Sequence, residues 1–437
     1  MNEPQAARWL IDQLPKLIAQ GVIGEGSAES LRAHYAAVAG TGTGSRNIMV
    51  IIFSVLGGLL VSAGIILLFA HNWDQLGRPA RAVLSFLPLA LGVVLSGIAM
   101  TRKNNSAALA EGVGAFHSVA IGACIALIAQ TYQLSGSFPA FILTWALLAL
   151  PLVYLLRSTS VAILYVAGIT TWGADLVIHR DSMLWFWPLL LLVLPHYWLL
   201  IRENRFSGRA WWMSLALALA IPVSAGFQCD RAVFALWPLV FSGIFASLYL
   251  AGCTWFRKTE APRVGHPFVF VGQLGIVVLA IWLSYRFAWE DRVSDIYSEP
   301  VWSAGAVANT INYGFLILSV ILLTFGWLRK TPLNPAAGLL PVVALCGTFL
   351  LRTGTGSTLI LMNLYALALG IVTIIRGTRD LRFTTLNAGL LLVATLIISR
   401  FFDSDVNFLL KGVAFIVVGA GFGGANVFLL KKRGRTK

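Results

Sequence analysis

The feature that most constrains the fold is a series of long apolar runs, of which the first extends from Asn47 to Ala70. An α-helix rises 1.5 Å per residue, so a run of about 20 residues crosses a hydrocarbon layer roughly 30 Å thick. Such runs recur along the chain, where hydrophobic residues make up 58% and charged residues only 11%. Soluble domains carry about 25% charged residues. The sequence therefore predicts an all-α, polytopic membrane helix bundle.

About fourteen runs qualify as membrane spans, and we expect between 12 and 14 of them to cross the bilayer. The eleventh and thirteenth runs are short enough to be re-entrant segments instead. The predicted spans are approximately 47–70, 80–101, 110–130, 138–156, 158–178, 183–201, 209–226, 230–252, 267–286, 308–328, 335–351, 357–375, 384–399 and 408–430.

The positions of the basic residues predict the orientation of the spans. If the N-terminus is cytoplasmic, 23 of the 32 Lys and Arg residues fall in cytoplasmic segments. Because cytoplasmic loops carry an excess of Lys and Arg, we predict that both termini are cytoplasmic. The basic residues form short clusters between spans rather than one soluble face, so the net charge of +14 does not indicate a nucleic-acid partner.

The segment 1–46 is expected to be a cytoplasmic helical hairpin followed by a Gly-rich linker, with a transmembrane domain over 47–430 and a basic cytoplasmic tail over 431–437. Two helices this short are not expected to fold alone. The hairpin is therefore expected to pack under the membrane domain or lie on lipid headgroups, and a protein partner at this segment stays open. Because mostly polar residues precede the first span, we expect that span to be kept as an anchor.

The cysteines predict neither a disulfide framework nor a metal centre. Cys124, Cys229, Cys253 and Cys346 are scattered, with no CxxC spacing and no neighbouring set of histidines. No other motif in the chain indicates a cofactor, so none is expected. The expected partners are the lipid bilayer and a small molecule whose identity the sequence does not reveal.

Four clusters of polar and aromatic residues fall at the outer ends of predicted spans. Polar groups beside apolar runs are costly in lipid and usually face a bundle interior or a wet cavity. Their shared side is what makes them candidates for a site. They are His71, Asn72, Trp73 and Asp74 after the first span; Gln130, Tyr132 and Gln133 after the third; Trp172 and Asp175 late in the fifth; and Arg400 and Asp403 after the thirteenth.

The first and last clusters each have a chemical and a structural interpretation. His71 and Asp74 are three residues apart, so a carboxylate could orient the imidazole on one helical face. Alternatively, Trp73 belongs to the interfacial aromatic belt and Asp74 ends the helix. Arg400 and Asp403 have the spacing of a local ion pair, which stabilises little when exposed.

The two middle clusters suit a sugar or another polyol. Gln130 and Gln133 flank Tyr132 and could form hydrogen bonds with such a ligand, although a helix end in water also accommodates amides. Asp175 lies one turn after Trp172, which would allow a sugar ring to stack and form hydrogen bonds. An interfacial Asp at a helix end explains the same pair.

Two ionisable groups lie nearer the cytoplasmic half of the third predicted span. His117 follows Glu111 by six residues, which is about 240° around a helix, so the two side chains do not share a face. A proton relay through them is conceivable. We favour a Glu111 side chain that extends to the interface and a hydrogen-bonded core His117, and we interpret His196 near the end of the sixth span in the same way.

Small residues at helical spacing predict close packing of the first span. Small side chains four residues apart let two membrane helices approach closely. Ser54, Gly58 and Ser62 form such a stripe of small residues along the first span.

Four short stretches carry a resemblance to a known family: Phe69-Ala70-His71-Asn72-Trp73-Asp74, Ala129-Gln130-Thr131-Tyr132-Gln133-Leu134-Ser135-Gly136, Leu150-Pro151-Leu152 and Leu155-Leu156-Arg157-Ser158. They resemble the bacterial predicted membrane proteins of domain of unknown function 2157 (DUF2157). The resemblance covers roughly residues 1–158, and the end of the chain from Arg400 to Asp403 through the basic tail is similar to the same or related proteins. It implies a bacterial cytoplasmic membrane protein and supplies no activity.

From the shared side of the four clusters, we predict a transporter or small-molecule-binding protein with a polar cavity that opens to the extracytoplasmic side. The first alternative is an enzyme for a lipid-linked or periplasmic substrate, with His71 as the base and Asp74 or Asp403 orienting it. The second is a membrane scaffold or signalling partner that acts through the N-terminal segment. The sequence leaves enzymatic activity undecided and favours a protein without one.

Overall fold

The structure is a computed structural model, and most of the chain is described in it. Within the described helices, side chains are not described over 36–40, 44–48, 65–71, 229–232, 306–313 and 400–403. The described residues are 10–11, 13–15, 17–18, 20–40, 44–71, 76–101, 107–178, 184–232, 237–256, 265–290, 306–328, 334–351, 354–380, 382–403, 416, 419–421 and 423–424.

Seventeen helices are delimited within the described residues. In chain order they are α1 (Glu25–Gly40), α2 (Gly44–His71), α3 (Arg78–Thr101), α4 (Ala107–Tyr132), α5 (Phe138–Leu155), α6 (Thr159–Ile178), α7 (Phe186–Leu191), α8 (Leu194–Asn204), α9 (Gly208–Ala232), α10 (Trp237–Trp255), α11 (Pro267–Leu283), α12 (Phe287–Glu290), α13 (Ala306–Leu328), α14 (Pro335–Gly338), α15 (Leu340–Leu350), α16 (Thr355–Arg379) and α17 (Phe383–Asp403).

The predicted all-α fold is confirmed. The described part of the chain is 89% helical and contains no strand. Seven of its helices are long and apolar enough to cross a membrane, namely α3, α4, α5, α6, α10, α16 and the segment Gly208–Gln228 of α9, and further shorter apolar helices accompany them. The count of fourteen spans stays a prediction, and so does the orientation of both termini.

Two predicted spans are each divided into two helices. The sixth, predicted over 183–201, consists of α7 and α8, because Pro195 in the first turn of α8 has no N–H to continue the preceding helix. Two tyrosines bond to carbonyls beside this break: Tyr165 donates to Leu189 O at 2.9 Å, and Tyr154 donates to Leu192 O. The eleventh predicted span is divided in the same way into α14 and α15, with Pro341 in the first turn of α15.

The predicted start of the eighth span at residue 230 was wrong. Helix α9 continues through this position to Ala232, and α10 begins at Trp237. Gln228, which lies between the two predicted spans, is accommodated inside the fold. Its side chain is buried, and Oε1 accepts a hydrogen bond of 3.0 Å from Trp187 Nε1.

The N-terminal segment contains two helical stretches, the first over described residues between 10 and 18 and the second α1. Gly21 has a φ of +71°, and its N–H donates to Ile18 O at 2.9 Å, which ends the first stretch. Leu14 and Ala28, one from each stretch, are buried. The division into three domains is not tested by these contacts and stays a prediction.

Two compact units divide the chain: Met1–Trp172 with Leu189–Met213, and Gly173–Pro188 with Ser214–Lys437. In the first unit, α2 packs closely against α4. A Cβ atom added at Gly58 would lie 2.5 Å from Gly112 O, and one added at Gly112 would lie 2.8 Å from Ser54 O. The predicted close packing of the small-residue stripe is therefore confirmed at Gly58.

The second unit has its own apolar core. Helices α10, α11, α15 and α16 contribute fully buried side chains, among them Leu250, Ile276, Leu340 and Met362. Trp289, in the short helix α12, is also fully buried, and its Nε1 donates to Leu283 O at 2.7 Å. This core holds the helices of the second unit together independently of the site described below.

Candidate functional site

Two of the four predicted outer clusters lie largely outside the described residues. Helix α2 ends at His71, whose side chain is not described, and Asn72, Trp73 and Asp74 follow it outside the described ranges. Helix α17 contains Arg400 and ends at Asp403, and neither side chain is described. Their roles stay predictions.

The cluster after α4 is exposed. Gln130, Tyr132 and Gln133 all face outward, with 53% of Tyr132 exposed. Gln133 has a φ of +50°, and the N–H of Leu134 donates to Ala129 O at 2.9 Å. This is the geometry of a left-handed helix C-terminus, so Gln133 has a structural role in ending α4.

The cluster in the last turns of α6 is less exposed. Trp172 is buried and Asp175 is partly buried. The two residues lie on one helix at the predicted spacing. The structure does not bring Trp172 together with Gln130 or Tyr132 in a described contact, so the convergence of these clusters on one cavity stays a prediction.

The interpretation of His117 is confirmed. Its side chain is buried, and Nδ1 lies 2.8 Å from Ser96 Oγ, which joins α3 to α4. Close approach at Gly92 makes room for the ring, since a Cβ there would lie 2.9 Å from His117 Cδ2. His196 is also buried, with its ring edge-on to Tyr154 at 6.5 Å between centroids.

The interpretation of Glu111 was wrong. The side chain does not extend to the interface, because only 1% of the residue is exposed. Its carboxylate accepts four hydrogen bonds: Oε1 from Thr159 N and Arg209 Nε at 2.9 and 2.8 Å, and Oε2 from Ser158 Oγ and Ser160 N at 2.9 and 2.7 Å. A buried carboxylate is stable when it is hydrogen-bonded and paired in this way.

The first turn of α6 and the residue before it supply three of these four donors. The leading N–H groups of a helix have no partner within it, and the N-terminus carries a partial positive charge. Glu111 bonds two of these groups, at Thr159 and Ser160. Ser160 Oγ in turn donates to the backbone carbonyl of Glu111 at 2.9 Å. Helix α4 thus caps helix α6 with a side chain distant in sequence.

The turn before α6 places Ser158 for this contact. Arg157 has a φ of +48°, a left-handed conformation that is uncommon outside glycine. The N–H of Ser158 donates to Val153 O at 3.2 Å, which closes the end of α5. Strained conformations of this kind occur where the surrounding contacts determine the geometry, and here they turn the chain toward Glu111.

Arg209 brings a third helix to the same place. It lies at the start of α9, and its Nε bonds both Glu111 Oε1 and, at 3.1 Å, Thr159 Oγ1. Its Nη2 donates to the carbonyl of Arg157. The Arg209 side chain is 22% exposed, against 2% for that of Glu111. The arginine therefore links the buried carboxylate to the surface of the unit.

Three helix starts meet at this contact. Glu111 lies in the first turns of α4, Ser158 precedes α6, and Arg209 opens α9. The positive-inside prediction assigns all three starts to the cytoplasmic side, and that orientation stays a prediction.

A pocket of about 380 Å³ lies next to this polar contact within the first unit. Its wall is almost entirely apolar. It is lined by Ile51, Ile52, Val55, Leu56 and Leu59 of α2, Glu111 of α4, Thr159, Ser160, Ile163 and Leu164 of α6, and Gly208, Arg209 and Trp212 of α9. The lining residues of α2 span about 12 Å along its axis.

The arrangement suits binding better than proton transfer. Both oxygens of Glu111 are occupied by donors, so this carboxylate is not placed to take a proton from a substrate. Among the described residues, no group of three or more His, Cys, Asp and Glu is positioned to hold a metal ion. What the site offers is an apolar cavity with a fixed cation at its edge.

Comparison with known proteins supports the membrane assignment. Residues 15–162 match the family model described as Predicted membrane protein (DUF2157), which confirms the resemblance noted in the sequence. The match includes Glu111 and the first residues of α6, while Arg209 lies beyond it. No curated protein and no solved structure matches the chain. Together with its apolar helices, the match identifies the chain as a multi-pass membrane protein.

Proposed function

We propose that this protein binds a small molecule with a long apolar chain in the pocket of the first unit. The observation that carries the proposal is the pocket of about 380 Å³ with apolar walls. Small-molecule pockets have volumes of about 300–1,000 Å³ and are lined mainly by apolar side chains with a few polar groups. The aliphatic residues of α2 and α6 match a hydrocarbon chain, and Arg209 provides the polar edge.

The pocket wall also supports an amphiphile over a sugar or an ion. A polar ligand would leave its hydrogen-bonding groups without partners against Ile52, Leu56 and Ile163, at a cost of roughly 2–7 kcal/mol per group. A hydrocarbon chain has no such groups. The cation at the edge can contact a polar end of the same molecule.

A matched pair of substitutions on α2 tests this proposal. Ile52 lines the pocket and is 40% exposed, whereas Val50 does not line it and is 50% exposed. Ile52→Trp should fill the pocket, while Val50→Trp places the same side chain outside it. The probe is a phosphatidylcholine whose acyl chain carries a conjugated polyene fluorophore, titrated into the purified full chain in detergent micelles.

We expect Ile52→Trp to weaken saturable binding of this probe by about tenfold or more, and Val50→Trp to change it by less than about twofold. Thermal unfolding of both variants controls for loss of fold. Equal binding by the two tryptophan variants, with both folded, would contradict the proposal.

Transport through a polar cavity that opens outward is the second candidate. The observation that favours it is the exposure of Gln130, Tyr132 and Gln133 together at the end of α4. It predicts that single cysteines at 72, 132, 175 and 403 react with an impermeant thiol reagent added outside. If all four cysteines are protected from the reagent added outside and react with it added inside, transport through an outward-opening cavity is refuted.

A further inference from the structure

We infer that the ligand of the pocket is an anionic phospholipid of the leaflet on the side predicted to be cytoplasmic, with its phosphate held by Arg209 and Arg157. The inference rests on the proposed apolar pocket and adds the chemical class of the ligand.

The polar end of a lipid must supply most of the selectivity in a membrane. Lipid tails are about as apolar as leucine side chains, so moving a tail from the bilayer into the pocket gains little hydrophobic free energy. Contacts with Ile163 and Leu164 therefore accept many chains without distinguishing between them. A charged contact at the edge can distinguish one headgroup from another.

Arg209 has an unused donor group at this edge. Its Nε and Nη2 bond to Glu111, Thr159 and the carbonyl of Arg157. Within the described residues, no hydrogen bond uses Nη1. The side chain is 22% exposed and lines the pocket. Glu111 orients the guanidinium while its own oxygens are fully engaged, so Glu111 is a positioning residue.

Arg157 supplies a second cation on a residue that contacts Arg209 through its backbone, although the Arg157 side chain does not line the pocket. The bond from Arg209 Nη2 to the Arg157 carbonyl keeps the two residues adjacent. The Arg157 side chain is 77% exposed, and its ion pair with Glu203 is long, with 3.9 Å between Nη1 and Oε1. Because an exposed pair of this length stabilises little, Arg157 can change partner at small cost.

The surrounding charges favour an anion. Arg202 lies over the ring of Trp198 at 5.1 Å, and Arg205 is exposed nearby in sequence. Together with Arg157 and Arg209 these are four arginines, against two acids, Glu203 and the fully hydrogen-bonded Glu111. Cytoplasmic leaflets are anionic, and basic pockets between membrane helices on that side bind phosphate headgroups. The apolar wall excludes a free anion from the pocket itself, which leaves a lipid as the occupant.

The test compares two polyene-labelled lipids with identical acyl chains, phosphatidylglycerol and phosphatidylcholine, at low ionic strength. The quantity measured is the ratio of their apparent affinities for the full chain. Arg157→Gly removes one cation and also relieves the left-handed backbone at φ +48°, so it is expected to fold. Arg209→Gln removes the second cation. Arg379→Gln, at an exposed position in α16, is the control for loss of one positive charge.

We expect wild type and Arg379→Gln to bind phosphatidylglycerol at least about fivefold more tightly than phosphatidylcholine. In Arg157→Gly, this ratio of affinities should be about fivefold lower. The preference should also fall at high salt. A ratio near one in wild type, or the same ratio in Arg157→Gly as in Arg379→Gln, would overturn the inference. Arg157→Gly decides the matter even if Arg209→Gln fails to fold.

The Ile52→Trp variant distinguishes failure of the proposed pocket from failure of the inferred anionic ligand. If it binds both lipids as well as wild type does, the pocket is not the binding site and the proposed function fails. If it loses both lipids while wild type shows no headgroup preference, the pocket stands and only the anionic ligand is refuted.

Discussion

Replacing Glu111 by alanine should strongly destabilise the first unit. Glu111 is 1% exposed, and its carboxylate accepts four hydrogen bonds. The substitution therefore leaves the Thr159 and Ser160 N–H groups and the Arg209 guanidinium without this acceptor. Breaking a buried ion pair by removing one partner costs about 3–5 kcal/mol. Removing the acceptor of a buried donor costs about 1–3 kcal/mol, and these contributions are not additive.

Because Arg209 is partly exposed, we expect the loss of unfolding free energy to lie at the lower end of the range of about 3–5 kcal/mol for a broken buried ion pair. The Arg209 side chain is 22% exposed and keeps its bonds to Thr159 Oγ1 and the Arg157 carbonyl, so water and protein partly compensate it. We therefore expect Glu111→Ala to lower the free energy of unfolding by about 3 kcal/mol. Glu111→Gln, which keeps an acceptor oxygen but turns an N–H₂ group toward other donors, should lose about 1–2 kcal/mol.

The assay is reversible unfolding in mixed micelles, followed by tryptophan fluorescence and circular dichroism. Glu203→Ala is the matched control, because Glu203 is the acid of the exposed pair with Arg157 and is 60% exposed. We expect that control to lose less than about 1 kcal/mol. Equal losses at positions 111 and 203 would refute the view that Glu111 ties α4, α6 and α9 together.

Three further predictions concern other parts of the fold. Gly58→Ala should lower the free energy of unfolding by about 1–3 kcal/mol, because its Cβ would clash with a backbone carbonyl. Gly57→Ala, whose Cβ would meet nothing described within 4 Å, should stabilise the protein slightly. Equal effects of the two substitutions would contradict the close packing at Gly58. Gln133→Gly should raise the unfolding temperature, because glycine adopts φ +50° without strain, and a lower temperature would contradict this. Burial lowers the pKa of His266, just before α11, from 6.5 to about 4. As the pH drops, the unfolded chain therefore binds a proton at this residue before the folded chain does. The free energy of unfolding should fall between about pH 6.5 and pH 4. His266→Phe should remove that part of the pH dependence, and an unchanged profile would count against it.

The helices could be predicted from the sequence because each apolar run is closed by polar or helix-breaking residues. Predicted spans such as 138–156 and 384–399 correspond to α5 (Phe138–Leu155) and α17 (Phe383–Asp403), with small differences in their ends. The division of the sixth predicted span depends on Pro195 together with the hydroxyl groups of Tyr154 and Tyr165. Hydropathy does not report such distant hydrogen bonds.

The Glu111 site was missed for a related reason. Its carboxylate bonds residues 47–49 positions away and Arg209 98 positions away, and no local pattern records those distances. Two signals could have pointed to it. One is an acid just inside an apolar run, and the other is an arginine that opens the seventh predicted span, both on the side predicted to be cytoplasmic. The predicted outward polar cavity stays a prediction.

Photochemical cross-linking tests the central claim of an occupied apolar pocket most directly. The full chain is reconstituted with phosphatidylglycerol that carries a diazirine in its acyl chain, irradiated, digested and analysed by mass spectrometry. The account predicts saturable labelling of peptides that contain Ile163, Leu164 and Trp212, and loss of this labelling in Ile52→Trp but not in Val50→Trp. Labelling confined to exposed residues outside the pocket, such as Val83, would contradict it.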